Sequence, residues 1–347
     1  MKTRTALIYL AVLLVLAGYF YYFEVVRHKA EIEEKEAALR LFQVEKARIT
    51  SLRLDKDGAQ PIRLKKNGQW QIVEPINSRA DEFAVGNLLT ILESLKIERE
   101  VETGAQDLQP YGLDKPRIHL SFLADDTRHQ LRLGAKAVVG NHYYASGDQE
   151  NRVVLLDANQ QQGLDKSLFD LRSKEFFTLK SDEVDRVEIE AAEGKLVLTK
   201  LENKGWQASA APELRIKSTK IEGLLSRLTW LRAKSFLENG ESNSTQLGLD
   251  PARIKISLFE KDKTETLLLG KTKKYEGVYT KGGGLPGVAM VDDKLLEELP
   301  RSLADLEDRT LLAFELDEVK AVSLEVAGET GRLMRHGEKW KWADGDS

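Results

Sequence analysis

"YGLDKPRIHLSF", Tyr111 to Phe122, and "LGLDPARIKISL", Leu247 to Leu258, are one segment written twice, 136 residues apart. The match extends in both directions. "LRLG" ending at Gly134 returns as "LLLG" ending at Gly270, and Trp70 in "NGQW" returns as Trp206 in "NKGW", at the same shift. Further on, "LFDLRSKEFFTL" from Leu168 matches "LADLEDRTLLAF" from Leu303 at a shift of 135. A long internal period of this kind means tandem copies of one domain, and 347 residues suffice for two. The boundaries fall at 48–181 for the first unit and 182–314 for the second. A third copy begins over 315–347, where "DEVKAVSLEV" from Asp317 echoes "DEVDRVEIEA" from Asp182 and "GEKW" ends at Trp340. Only its opening strands are present, and a lone hairpin is marginal in water, so these strands are expected to cap the second unit by edge pairing.

Within a copy, apolar residues alternate at Ile49, Leu52 and Leu54, at Ile118, Leu120 and Phe122, and at Leu131 and Leu133, the period of half-buried strands. A helix interrupts them. Phe83, Leu88, Ile91, Leu92 and Leu95 fall on one helical face, introduced by Ser78 with Asp81 three residues on, and Leu224, Leu225, Leu228 and Leu231 repeat the face in the second copy. Each unit is therefore predicted to be α+β, a mainly antiparallel sheet with a helix packed on one side.

The glycines of "KGGGLPG", Lys281 to Gly287, fit the G-x-G-x-x-G spacing of dinucleotide sites. The repeat places them opposite the polar turn "SGDQEN", between two strands, so no helix N-terminus is available to a phosphate. The expectation is a hairpin turn without nucleotide, exchangeable for "SGDQEN" with little effect on folding.

The balance of 52 Lys+Arg against 56 Asp+Glu gives a net charge of -4, with no bulk pull toward nucleic acid. Zero cysteines exclude disulfides, thiolate metal sites and a cysteine nucleophile. His28, His119, His129, His142 and His336 form no tight ligand pair, and the repeat places Lys255, Glu265 and Val278 opposite the middle three. Asp114 and Asp250 recur in "GLD", where a short Asp beside Gly and Pro makes a turn. Trp70 and Trp206 suit one core aromatic per unit. No catalytic, cofactor-binding or metal residue is assigned, and no enzyme activity is expected.

Residues Thr5 to Phe23 carry no charge and would span roughly 28 Å as a helix, close to a bilayer's hydrocarbon thickness. Lys2 and Arg4 precede the run, so the positive-inside rule predicts a cytoplasmic tail at 1–4, an uncleaved anchor over 5–25 in contact with the lipid bilayer, and the bulk outside the cytoplasm. Residues 26–47 then form a helical stalk, where Val25, Ile32 and Leu39, and Phe42 and Ile49, are seven apart; a weak homodimer through this half-filled seam is the expectation.

The anchor, the tryptophan hairpin, the "YGLDKP" turn with its strand and the "LRLG" strand together resemble an uncharacterised bacterial domain-of-unknown-function family of single-pass membrane proteins, found beside gliding-type ABC transporter permease and auxiliary subunits. The resemblance implies an inner-membrane protein with a periplasmic bulk and association with such permease subunits. Its motifs are structural and carry no catalytic residue over. The function expected is a membrane-anchored binding or scaffold accessory of an ABC-type export system. The alternatives are an envelope glycan- or peptide-binding module using an exposed tryptophan face, and a hydrolase using the first-copy histidines or the "GLD" aspartates.

Overall fold

The computed structural model describes residues 11, 13–16, 18–21, 39–202, 205–237, 243–310 and 317–343. Alternation of apolar and polar residues becomes two large antiparallel sheets with the same strand order. In the first unit the elements run β1 (Ile49–Lys56), β2 (Ile62–Asn67), β3 (Gln69–Glu74), β4 (Ser78–Arg79), α1 (Glu82–Ser94), β5 (Arg99–Thr103), β6 (Ile118–Ala124), β7 (Thr127–Lys136), β8 (His142–Ser146), β9 (Arg152–Asp157), α2 (Ala158–Leu164) and α3 (Leu168–Leu171). The sheet order is β4-β3-β2-β1-β6-β7-β8-β9-β5. The second unit repeats this with β10 (Arg186–Ala191), β11 (Gly194–Leu201), β12 (Gly205–Ala208), α4 (Ser218–Thr229), β13 (Ser235–Phe236), β14 (Ile254–Glu260), β15 (Lys263–Lys273), β16 (Gly277–Gly282), β17 (Leu285–Val291) and α5 (Lys294–Glu298), in the order β12-β11-β10-β14-β15-β16-β17-β13.

One helix closes the core of each sheet. On α1, Val85, Leu88, Leu89 and Leu92 are buried, and on α4 Ile221, Leu224, Leu225 and Leu228, both at the i, i+3, i+4, i+7 spacing of a core-facing stripe. The predicted face is corrected at its start: Phe83 is 87% exposed, because the stripe begins at Val85. The cap is corrected too. Ser78 lies in β4, and Asp81 itself is the N-cap, accepting from Ala84 N–H at 3.1 Å. Trp70 and Trp206 are buried in their respective cores, 4% and 5% exposed.

The repeated "GLD" and "LxLG" motifs are two halves of one contact. Gly112 and Gly248 take left-handed φ of 64° and 69°, turning the chain onto the end of the neighbouring strand. A Cβ at Gly134 would lie 2.2 Å from the Tyr111 carbonyl oxygen, and one at Gly270 2.3 Å from that of Leu247. Only glycine fits at either place.

Each core begins ahead of its first strand. Phe42 is buried, edge-on to Phe122 at 5.2 Å, and Ile49 is fully buried. The predicted stalk therefore ends earlier, since neither residue is available to a coiled-coil seam. The second core likewise takes in Phe176, Phe177 and Leu179, before the expected boundary at 182. No helix among the described residues is long and apolar enough to cross a membrane. Most of the anchor expected over 5–25, and the stalk up to residue 38, lie outside the described residues; within that anchor, residues 11, 13–16 and 18–20 are α-helical.

The third copy is corrected as well. Strands β18 (Ala321–Val326), β19 (Glu329–His336) and β20 (Lys339–Trp342) form a three-stranded sheet of their own, and among the described residues none pairs with the sheet of the second unit.

Candidate functional site

The histidines of the first copy do not converge. His119 projects from the face of β6 opposite to the buried one, 3.9 Å from Asp55, while His129 packs on Phe122 in the core and meets Asp148 at 2.7 Å. The sheet lies between them. His142 starts β8, beside the Gly140 turn. Asp114 and Asp250 sit exposed in their separate turns, and no group of three His, Asp or Glu fit to hold a metal occurs among the described residues.

A groove of about 610 Å³ opens in the second unit between the β10–β11 hairpin, the start of β14 and the segment from α5 to Leu303. Ile189, Leu196, Ile254, Leu296, Leu299 and Leu303 line it with apolar surface, and Glu193, Lys195, Arg253 and Arg301 bring charge to it. Comparison with the first unit explains why it is open. There the repeat places Lys56, Asp165 and Gln161 where the second unit has Ala191, Pro300 and Leu296. The Lys56 ammonium pairs with the Asp165 carboxylate and reaches the Lys166 carbonyl, and Gln161 Nε2 donates to Asp165 at 3.4 Å. These three side chains form a polar plug. All three are replaced by groups that cannot make it, which exchanges a filled site for a hollow one with apolar walls.

Lys195 is already engaged by Glu188 at 2.8 Å, which holds that carboxyl below its ordinary range. Arg253 Nη1 reaches Thr272 Oγ1 at 3.4 Å, whereas the Arg301 side chain has no ion pair among the described residues. The site thus offers apolar burial with a guanidinium at the edge. Glu297 also lines it, and the Ser302 hydroxyl at its rim donates to Asp305 at 3.3 Å in the cap of a short helical turn.

A second cluster joins the units, formed by charged residues that no motif or spacing singles out. Arg172, only 6% exposed, donates to the Pro286 carbonyl across the junction and lies 3.5 Å from the ring centre of Phe236; burial pushes its pKa down to about 10. Arg232 of the second unit bridges Asp81 and Glu175, each at 3.0 Å, and Arg79 donates to the Glu175 carbonyl at 2.8 Å. Burial also lowers the Lys174 ammonium, against the pull of Asp81 at 3.8 Å. Each of these side chains is held by other groups of the protein, although the Nε–H of Arg79 and of Arg172 is buried without a partner, and the contacts fasten one unit to the other.

The "GGGLPG" segment belongs to this junction. It is the tight turn between β16 and β17, as the repeat predicted, with Gly282 paired to Leu285 and no helix following. It is not interchangeable with "SGDQEN", however. The exchange would put Ser on Gly282, whose φ is 114° and where a Cβ would meet the Thr266 carbonyl oxygen at 2.2 Å, and Asp on Gly284, where a Cβ would meet the Arg79 guanidinium at 2.5 Å; Gly284 N–H also donates to the Phe176 carbonyl at 2.8 Å. Gly283 makes room for the chain that enters the second core, and Gly284 for the Arg79 side chain of the first unit.

With two tandem units, glycine-paired turns and a core tryptophan in each established, one family pattern matches: the domain of unknown function DUF4340, over residues 70–251 and again over 238–347. The chain belongs to that family. The two matched stretches reach from Trp70 to the C-terminal residue and leave out the apolar run and the stalk. No curated protein and no solved structure matches the chain.

Proposed function

We propose that this DUF4340 chain is a binding and scaffold module of the cell envelope, held to the membrane by its N-terminal apolar run, and that the groove of the second unit receives an apolar side chain or short peptide segment of a partner. The observation that carries this reading is the replacement of Lys56, Asp165 and Gln161 by Ala191, Pro300 and Leu296. One copy keeps the site plugged, the other hollow, on an otherwise shared frame. The placement in the inner membrane with the bulk periplasmic rests on the uncharged stretch Thr5 to Phe23 and the basic residues before it. The partner proposed is a permease or auxiliary subunit of an ABC-type export system, on the strength of the family resemblance carried by the anchor and the "GLD" and "LRLG" motifs.

The test uses the full chain in native membranes, with a photoreactive residue at Leu296. Irradiation is expected to join it to a membrane-transport subunit. The double variant Ala191→Lys, Pro300→Asp, which restores the plug of the first unit, should lower that yield about tenfold or more, the equivalent of losing one buried apolar side chain. Cross-links to cell-wall glycan would favour the envelope-binding alternative, and an unchanged yield in the plugged variant would sink the groove as the site.

A further inference from the structure

The third sheet repeats the start of each unit in register. Val322 faces Leu333 and Leu333 faces Trp342, as Val187 faces Leu198 and Leu198 faces Ala208 in the second unit, and as Leu52, Leu64 and Ile72 line up in the first. Trp340 opposite Arg335 takes the place of Trp206 opposite Lys200 and of Trp70 opposite Lys66. In the first two units this face is the core side of the sheet. In the third, nothing among the described residues covers it: Leu324 is 66% exposed, Trp342 64%, and Val322, Val326 and Trp340 are exposed with them. A contiguous apolar face with two indoles is unusual on a protein surface and marks an interaction site.

The edge is as open as the face. The register pairs Ala321 with Met334, and Arg335 N–H donates to the Lys320 carbonyl at 2.8 Å. Backbone groups alternate in an antiparallel ladder, so those of Ala321, Ser323 and Glu325 point away from β19, where among the described residues no strand accepts them. In both complete units the strand in this place is central, and what pairs with it is known from the same chain. β6 lies against β1 with Phe122 opposite Leu52 and Leu120 opposite Leu54, and β14 lies against β10 with Leu258 opposite Val187 and Ile256 opposite Ile189.

We infer that the β18 edge is a strand-acceptor site for a polypeptide partner, which adds an antiparallel strand with bulky apolar residues at alternate positions and so covers the face around Val322, Leu324 and Trp342. Main-chain bonds to Ala321, Ser323 and Glu325 supply affinity, and alternate side chains packed on the apolar face supply selectivity, the general logic of strand addition. A polypeptide is favoured over a sugar because the two complete units fill the same face, in the same register, with their own chain. This surface is separate from the groove of the second unit, and its failure would leave the groove untouched.

The probe is a synthetic peptide of residues 250–262, the segment that occupies this place in the second unit, titrated into the full chain in detergent. Saturable binding is expected, weakened about tenfold or more when Ile256 and Leu258 of the peptide are both replaced by Asp. Ser323→Pro removes an N–H on the open edge without touching the β19 ladder, and Leu324→Asp places a charge on an already exposed position. Both variants should abolish peptide binding while leaving the thermal unfolding of the two complete units unchanged. Absence of saturable binding, or binding indifferent to Ser323→Pro, would overturn the inference. So would a dimer in sedimentation equilibrium that dissociates in Leu324→Asp, which gives the face to a second copy, or binding of cell-wall oligosaccharides lost in Trp342→Ala, which gives it to a glycan.

Discussion

Trp70→Ala and Trp206→Ala are each expected to destabilise their own unit by about 3–5 kcal/mol, the range for deleting a large buried aromatic. Both indoles sit in their cores, against the sheet side covered by α1 and α4. At roughly 3 °C per kcal/mol for a domain of this size, the affected unit should melt on the order of 10 °C earlier than its neighbour, splitting the calorimetric transition. Trp206→Phe should cost far less, about 1–2 kcal/mol. The Trp206 indole N–H is buried without a hydrogen-bond partner, so the phenyl ring gives up volume but also removes an unsatisfied donor. Native midpoints in the alanine variants would show that the indoles are not core residues and would return them to a binding role.

The tandem repeat, the α+β class and most strands were legible because period-2 and period-3.6 patterns depend only on which residues face a core. The core position of Phe42 was missed although a signal existed: the repeat sets Phe177 opposite it, and one aromatic before each first strand points to a core lead-in rather than a seam. The heptad spacing of Phe42 and Ile49 competed with that signal. The groove was legible only in part. Aligning the copies shows Lys56, Asp165 and Gln161 changed to Ala191, Pro300 and Leu296, but the three are distant in sequence and only the fold shows that they meet. Edge pairing of the third copy failed as an expectation for a different reason. Its residues carry the pattern of a core-facing sheet, and a pattern specifies what a face needs without saying which element supplies it.

The glycine turn at the junction gives the other large effect. Gly283→Ala is expected to cost roughly 3 kcal/mol and to uncouple the two units. Gly283 has a left-handed φ of 58°, which an alanine adopts at about 1 kcal/mol, and the added Cβ would lie 1.9 Å from the Phe176 carbonyl oxygen and 2.6 Å from its carbon. Those are backbone atoms of the chain leading into the second core, with no rotamer to relieve the contact. The turn must therefore withdraw. With it go hydrogen bonds worth about 1 kcal/mol each, from Gly283 N–H to Thr266 and from Gly284 N–H to Phe176, and the grip of Arg172 on Pro286 loosens. Gly287→Ala is the matched control, since its φ of 81° is also left-handed but a Cβ there has open space, so it bears the conformational cost alone. Scanning calorimetry should show two separated transitions for Gly283→Ala and a single, slightly lowered one for Gly287→Ala. Equal effects from the two variants would mean that backbone strain, and not the approach to Phe176, sets the cost. The junction would then not depend on the approach of this turn to Phe176.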